Sequence, residues 1–557
     1  MSPPTPQAEP APPTWKELVV VTAAYAALTF LMALPFSASP ASQVVADLPD
    51  THLYVWTLAW DTHAFLHQPL NIFDANIYYP YANTLAYSEN LIGTALFAAP
   101  VIWLTGNMVL AMNLVALLTC VLCGVGGYVL ARRLHLSAGA AFICGLVFAF
   151  APPRFFRLGQ LHMTAVQWIP FSLAYLHSYF EAERPRDLRL AVAFFSLQAL
   201  SSGHGAAYLF VATVALIAWH LASGAPLALR RRLTDFGVTG AYLLSPSVWI
   251  MLPYRLAQQE AGLKRGYLSG AQPGFESFLA SPARVDHFLI DRVFGTFSKE
   301  ADAFLFPGIV VLVLALAGLT NWQTRKLRDN AVAFYAVLLV ISTLMFVQWP
   351  FELWRYVYWL PGFNFIRVPS RFIILSILTL GVLAGFGFDR LVSRGSSAAR
   401  LVACLIVSLL LLGEYQAYPF SGVPYRVDIP AIDYWLDTRP KPFVVAEVPV
   451  PSAGDLGALV RHQTTSMLHA TAHWQKTVHG YSGIQRPLHD QLYQDLHGFP
   501  DKASIAALRE VGVTYIVVHT EQYGISWRTI EEQIAKTPVL SLAHAEGDGR
   551  VYTLSPP

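Results

Sequence analysis

Runs of about 20 apolar residues recur along this chain, each long enough to cross the hydrocarbon core of a bilayer as a helix. They fall near residues 17–36, 89–105, 108–131, 137–152, 163–180, 188–202, 205–223, 236–253, 303–320, 330–348, 371–388 and 399–414. The chain is therefore expected to be mainly α, a polytopic transmembrane helix bundle of about 12 spans. Composition agrees. Of its 557 residues, 55% are hydrophobic and only 13% are charged, where soluble domains run near 25% charged.

The formal net charge of +2 says little about partners. There is no basic block or stripe of the kind nucleic-acid binders carry, which sets that class aside. Cys120, Cys123, Cys144 and Cys404 all lie inside apolar runs. Cys120 and Cys123 have a redox spacing, but their surroundings read as a spanning helix, so buried inert thiols are expected. The polar segments hold no cysteine, and a disulfide framework is excluded.

Basic residues fall on alternate connections. These carry Arg132 and Arg133; Arg184, Arg186 and Arg189; Arg230, Arg231 and Arg232; Arg325, Lys326 and Arg328; and Arg390, Arg394 and Arg400. The positive-inside bias puts these loops in the cytoplasm, and Lys16 puts the N-terminus there too. Residues 1–16 read as a Pro-rich, disordered cytoplasmic leader. The first run resembles a signal peptide because small residues follow it; it is expected to stay as a span. The membrane domain covers 17–414, and residues 37–88 form a large first loop on the opposite, extracytoplasmic side. The polar segments 254–302 and 349–370, and everything from about 415 onward, share that side.

The last part of the chain changes character. Residues 443–450 and 514–519 read as short buried strands, and Ala503 to Val511 as an amphipathic helix leading into the second. The tail reads as a hairpin around Gly547, Asp548 and Gly549. Residues 415–557 are expected to form a small extracytoplasmic α/β domain.

The candidate chemistry collects on the extracytoplasmic face. Asp47 and Asp50 follow the first span. Two readings stand for Asp50: the cap of a helix starting at Thr51, and a general base beside the bilayer. His52, Leu53, Trp56 and Trp60 recur at helical spacing, so this stretch is expected to lie along the membrane surface. Glu89, at the start of the second span, is either a partner of the helix dipole or a second acid of the same cavity. Arg154, Arg157 and His162 occupy a short outside link, against the charge bias, where arginines ask for an anion. Arg367 and Arg371 open the eleventh span with Ser370 as its N-cap; cations there oppose the macrodipole unless an anion sits between them. The stretch 351–360 is aromatic and suits an interfacial belt. His462, His469, His473, His479, Trp474 and Tyr481 cluster in sequence; His469 and His473 stand at a metal-binding spacing, while sugar contacts are the functional use expected of the group.

With these residues in view, the layout resembles the GT-C superfamily of polytopic glycosyltransferases. It is most similar to the bacterial protein mannosyltransferase and ArnT-like aminoarabinose transferase group. The likeness is carried by Asp47 and Asp50 after the first helix, the aromatic loop with Tyr78, Tyr79 and Pro80, and many spans followed by an outside C-terminal domain. It implies a glycosyltransferase of the bacterial inner membrane acting on its periplasmic side. It implies a polyprenyl-phosphate sugar donor, a glycan, lipid or protein acceptor, hexosyl or pentosyl transfer with inversion, and a catalytic acid in the first loop. Asp50 or Asp47 inherits that role; here the two are separated by two residues, whereas several members carry an adjacent pair. No cofactor is required by these residues, and a divalent cation on the acids' oxygens stays open. Two other classes share parts of the pattern: a membrane transporter or lipid flippase, and a polysaccharide polymerase or ligase relying on arginine and histidine.

Overall fold

The computed structural model describes residues 13–46, 48–222, 229–260, 267, 272–294, 303–320, 330–360, 362–484 and 486–555. The chain divides into two compact units. One takes the residues up to Pro40 with Asn113–Trp249 and Lys264–Gly422; the other takes Ala41–Met112, Ile250–Leu263 and Val423–Pro557.

Helices make up the first unit. Each of the twelve expected runs overlaps a helix. Among the described residues, five helices are long and apolar enough to cross a membrane: Trp15–Met32, Met108–Arg133, Gly203–Ala222, Pro369–Leu391 and Ser397–Tyr415. A sixth is reached if the bent pair Thr234–Ala241 and Ser245–Glu260 counts as one span. Ile92–Thr105, Ala138–Phe150, Ile309–Leu319 and Ala331–Leu344 are apolar but shorter. The chain is a multi-pass membrane protein; the expected twelve spans are not reached on this measure. Arg132 and Arg133 end one span and Arg390 another; Arg325, Lys326 and Arg328 lie outside the described residues.

The helix Ile373–Leu391 is buried along nearly its whole length. It approaches Ile309–Leu319 at glycines. A Cβ on Gly387 would stand 1.8 Å from the Leu314 carbonyl oxygen, and one on Gly318 would stand 2.2 Å from that of Leu383. The first helix is fixed by a capping box between Thr14 and Glu17 and by the Tyr25 hydroxyl, which donates to the Phe142 carbonyl at 2.7 Å. The four cysteines are free, and Cys120, Cys123 and Cys144 are buried.

The second unit contains the sheets. Strands β1 (Gln43–Val44) and β2 (Val423–Pro424) form an antiparallel pair. The main sheet uses β3 (Val444–Val448), β4 (Lys476–Thr477), β5 (Tyr515–His519), β6 (Leu540–Glu546) and β7 (Gly549–Leu554). Their spatial order is β4-β3-β5-β7-β6. β3 lies parallel to β4 and β5, and β7 is antiparallel to β5 and β6. Strands, hairpin and the helix Lys502–Val511 fall where the sequence puts them. Alternation divides the core between two faces. Val444, Ala446, Val448, Ile516 and Val518 face one way. Val445, Val517 and Val551 face the other, packed with Ile432 and Leu436 of the helix Ala431–Asp437.

The first-loop segment joins this sheet by main-chain bonds. Tyr78 N–H donates to the His479 carbonyl at 2.9 Å, Tyr79 N–H to that of Thr477 at 3.0 Å, and Thr477 N–H to that of Asn76 at 2.8 Å. Lys476 adds an ion pair to Asp74 at 2.9 Å.

Gly387→Ala and Gly318→Ala should each force the two helices apart, costing roughly 1–3 kcal/mol by overpacking. A melting temperature in detergent several degrees below wild type would show it; unchanged melting would contradict the close approach. A second expectation concerns pH. Burial pulls His462, His473 and His489 each down to about 4, whereas the unfolded chain holds such groups near 6.5. The folded form then binds fewer protons between these values, so stability falls as pH drops from about 6.5 towards 4. His469 runs the other way. Burial alone would lower it, but the charge and hydrogen bond of Glu447 carry it up to about 9, a contribution lost as pH rises through that value. Hydrogen exchange in β3 and β5, corrected for intrinsic rates, should show most protection near neutral pH; equal protection at pH 4.5 and 7 would be the contrary result.

Candidate active site

Asp50 occupies the first turn of the helix Pro49–His67, while Asp47 lies outside the described residues. Pro49 starts that helix because its ring presets φ and its missing N–H would have no helical partner. Leu48 is the N-cap and no side chain caps the helix, so Asp50 is not the cap of a helix beginning at Thr51. Instead its Oδ1 accepts the Tyr481 hydroxyl at 3.3 Å. Tyr481 in turn lines a cavity of about 290 Å³ with Tyr78, Gln463, His489, Asp490 and Tyr493. His489 is buried and its Nε2 has no hydrogen-bond partner among the described residues. Kept neutral by burial, that ring offers the cavity a nitrogen not engaged by the protein.

The helix does not lie amphipathically on a surface as expected. Every residue from Thr51 to Thr62 is buried. His52 Nδ1 meets Thr464 Oγ1 at 3.2 Å, Trp56 stacks on Trp60, and Trp60 Nε1 donates to the Ile72 carbonyl at 2.8 Å. His52 and Trp60 find polar partners inside the unit, while Trp56 Nε1 is buried with none among the described residues. Asp61, which the sequence reading passed over, is fully buried and neither carboxylate oxygen has a partner among the described residues. Burial holds its carboxyl well above the usual range.

Glu89 precedes its helix, which begins at Ile92, and it is nearly buried. Its charge and that of Asp61 both bear on the Tyr254 hydroxyl. That hydroxyl donates to the Ser88 carbonyl at 2.7 Å and accepts from Asn90 Nδ2 at 3.3 Å. Glu89 therefore belongs with Asp61 and Tyr254, and dipole compensation is not its arrangement.

The expected cations sit in the first unit and divide into two kinds. Arg154 is fully buried, and its guanidinium donates to the carbonyls of Ala149 and Thr164 at 2.8 and 3.0 Å and to Thr119 Oγ1 at 3.2 Å. It closes the break between helices and has little left for a ligand. Arg157, His162 and Arg371 come together with His204, a residue the sequence reading did not single out. Arg371 Nη1 donates to His204 Nε2 at 2.9 Å, and the rings of His162 and His204 lie 5.2 Å apart. Burial, then the charge of Arg371, lowers Arg157. Burial, then Arg371, His204 and Arg157, lowers His162 well below its ordinary value. Neither Arg157 nor Arg371 is paired with a carboxylate among the described residues. Arg367 is exposed. Ser370 is not an N-cap: it lies within the 3-10 turn Pro369–Phe372, ahead of the helix Ile373–Leu391, and no side chain caps either. In the aromatic stretch, Trp354 and Tyr358 are buried while Phe351, Tyr356 and Trp359 are exposed.

His469 and His473 do not converge on a common point. His473 Nδ1 accepts the Gln475 N–H at 3.0 Å, while His469 turns to Glu447. Among the described residues, the ligand group close enough to hold a metal is Glu447, His469 and His519, and Asp50 is not in it.

No family model matches the chain, and no curated protein matches it. Solved structures do. The archaeal oligosaccharyltransferase AglB from Archaeoglobus fulgidus, in complex with an inhibitory peptide and a dolichol-phosphate, matches with a TM-score of 0.51 at 12% identity, over 93% of this chain and 71% of that one. ArnT from Cupriavidus metallidurans matches in the apo state with a TM-score of 0.48 at 15% identity, over 97% and 99% of the two chains. ArnT bound to undecaprenyl phosphate gives 0.46 at 15% identity, over 98% and 100%. At such identities the likeness to AglB is one of fold, and the chain has the GT-C fold.

Proposed function

We propose that this protein is an integral membrane glycosyltransferase that moves a sugar from a polyprenyl-phosphate donor to an extracytoplasmic acceptor. The observation that carries the reading is the Asp50 carboxylate bound to Tyr481, whose ring lines a cavity with Tyr78, Tyr493, His489, Asp490 and Gln463. Aromatic faces with a few polar groups suit a sugar, and a carboxylate at the edge suits its hydroxyl. Asp50 takes the proton of the acceptor hydroxyl as that oxygen attacks the anomeric carbon. The polyprenyl phosphate leaves with the bonding electrons, and inversion follows from attack opposite the leaving group. Arg371 and Arg157, two cations without carboxylate partners among the described residues, meet the charge that grows on the phosphate, with His162 and His204 beside them. Arg154 braces the helix break, and Arg367 is a further candidate for the phosphate. Glu89 is a supporting acid, and Asp47 remains an acid of the same loop. AglB carries a dolichol-phosphate in its structure, and a lipid phosphate is the donor class carried over here. The chain would work as a bacterial inner-membrane protein, N-terminus cytoplasmic and residues 415–557 outside.

The arginine and histidine cluster also favours a second reading, a polysaccharide polymerase or ligase that needs no first-loop base. One set of variants separates the two. Under the first reading, Asp50→Asn lowers turnover by roughly 100-fold or more while polyprenyl-phosphate binding stays. Tyr481→Phe loses a smaller amount, about tenfold. Arg371→Ala weakens binding of polyprenyl phosphate by about 10- to 100-fold. Full activity of Asp50→Asn alongside loss in Arg371→Ala would select the second reading. Ligand-driven transport in liposomes without transfer would replace both with a transporter or flippase.

A further inference from the structure

Glu447 is a carboxylate in the middle of a short hydrophobic strand, a place that charge avoids unless something holds it. In the parallel register of β3 and β5, Glu447 stands opposite Val517. His519 is two residues on, so its side chain shares that face of the sheet. The helix Leu456–His469 delivers His469 at its last residue. His469 Nδ1 and His519 Nε2 both meet the same oxygen, Oε2 of Glu447, at 2.9 and 2.8 Å. The three ligand atoms lie within 4.8 Å of one another and all three residues are buried.

A second observation points to something missing from this group. Asp433 lies on the helix that covers the same face, 1% exposed. Neither of its carboxylate oxygens has a hydrogen-bond partner among the described residues. Its charge interacts with Glu447, His469 and His519. Two buried carboxylates with two histidines form an anionic set whenever the imidazoles are neutral. Leaving a carboxylate buried without partners is costly. A divalent cation balances two carboxylates in charge, and two imidazole nitrogens with two carboxylate oxygens are a four-coordinate donor set of the kind zinc takes.

We infer that Glu447, His469, His519 and Asp433 form a structural zinc site that locks the C-terminal sheet. Zinc–ligand distances of about 2.0–2.2 Å place tetrahedral ligand atoms roughly 3.4 Å apart. The two contacts to Glu447 therefore have to open by about half an ångström as the ion enters. His469 binds through Nδ1 and His519 through Nε2, each releasing any proton held on that nitrogen. Asp433 turns onto the ion as the fourth ligand, which gives its oxygens the partner they lack. His479 supports the site from outside: its Nε2 accepts the Glu447 N–H at 2.7 Å, which fixes the strand that carries the central carboxylate. The site is independent of the transfer reaction proposed above, since none of its four residues lines the cavity beside Asp50.

The test uses the full chain in detergent, stripped with a chelator and then given Zn²⁺ or Co²⁺. Elemental analysis after desalting should find one ion per chain in wild type and in His473→Ala, and none in the His469→Ala/His519→Ala double variant. Bound Co²⁺ should give the strong visible absorption of a four-coordinate site, weakened in Asp433→Asn, and Zn²⁺ should raise the melting temperature of wild type and His473→Ala but not of the double variant. If the double variant does not fold, wild type alone decides the matter by competing with a chromogenic chelator. Stoichiometric capture of the ion supports the site. No ion retained by wild type, or the same ion content in wild type and a folded double variant, overturns it.

Discussion

The main-chain bonds between residues 76–79 and 477–479 are what the candidate active site depends on. Three N–H to carbonyl bonds of 2.8–3.0 Å link a first-loop segment to the chain around β4. They act as an added strand does, giving affinity through the backbone and register through the side chains. Register is what brings Tyr78 and Tyr481 to one cavity. Gly480 permits the approach, since a Cβ there would stand 2.4 Å from the Tyr78 ring. Without this junction Asp50 would have a loop around it and no wall. With it, an acid in the first hundred residues and a tyrosine 431 residues later share a hydrogen bond.

Charge is scarce in this chain, and where it is buried its partners decide what it can do. Arg154 donates to main-chain carbonyls on both sides of the helix break, so it acts as a brace. Arg371 has a histidine nitrogen and Arg157 a glutamine oxygen. Those neutral acceptors leave each guanidinium its full positive charge and several N–H donors. Two nearby cations without an acid raise each other's energy, and an anion relieves that strain most directly. The same logic separates Lys476, whose ion pair with Asp74 is a fastening between segments.

Much of this was legible in the sequence because it rests on local rules. Long apolar runs give helices, short apolar runs bounded by turn residues give the strands and hairpin of the C-terminal region, and amphipathic spacing gives its helix. The chemistry of Asp50 and of Arg371 could be suspected from residue type and place. What could not be read is pairing across the chain. Asp61 looked like one more polar residue of a loop, and only the burial of the whole helix Pro49–His67 makes its carboxyl unusual. The signal was faint but present: Trp56, Trp60 and the intervening apolar residues leave that helix no clearly polar side. His204 opens the helix Gly203–Ala222 and gains meaning from Arg371, 167 residues away. Ser370 failed as a cap because the chain takes a 3-10 turn before the helix starts at Ile373. Spacing misled at His469 and His473 too, since the helix ends at His469 and the pair never shares a face.

Asp50 and Asp61 lie eleven residues apart on one helix and occupy opposite surroundings. Asp61 is fully buried with no hydrogen-bond partner among the described residues, and burial raises its carboxyl well above the usual range. Asp50 is half-buried and accepts the Tyr481 hydroxyl. One fold can separate acid and base roles only by such a difference in environment, because the side chains themselves are the same. Asp50, one hydrogen bond from the cavity-lining Tyr481, is therefore the carboxylate placed to take a proton from a substrate hydroxyl. Asp61 and Glu89 instead both bear on the buried Tyr254.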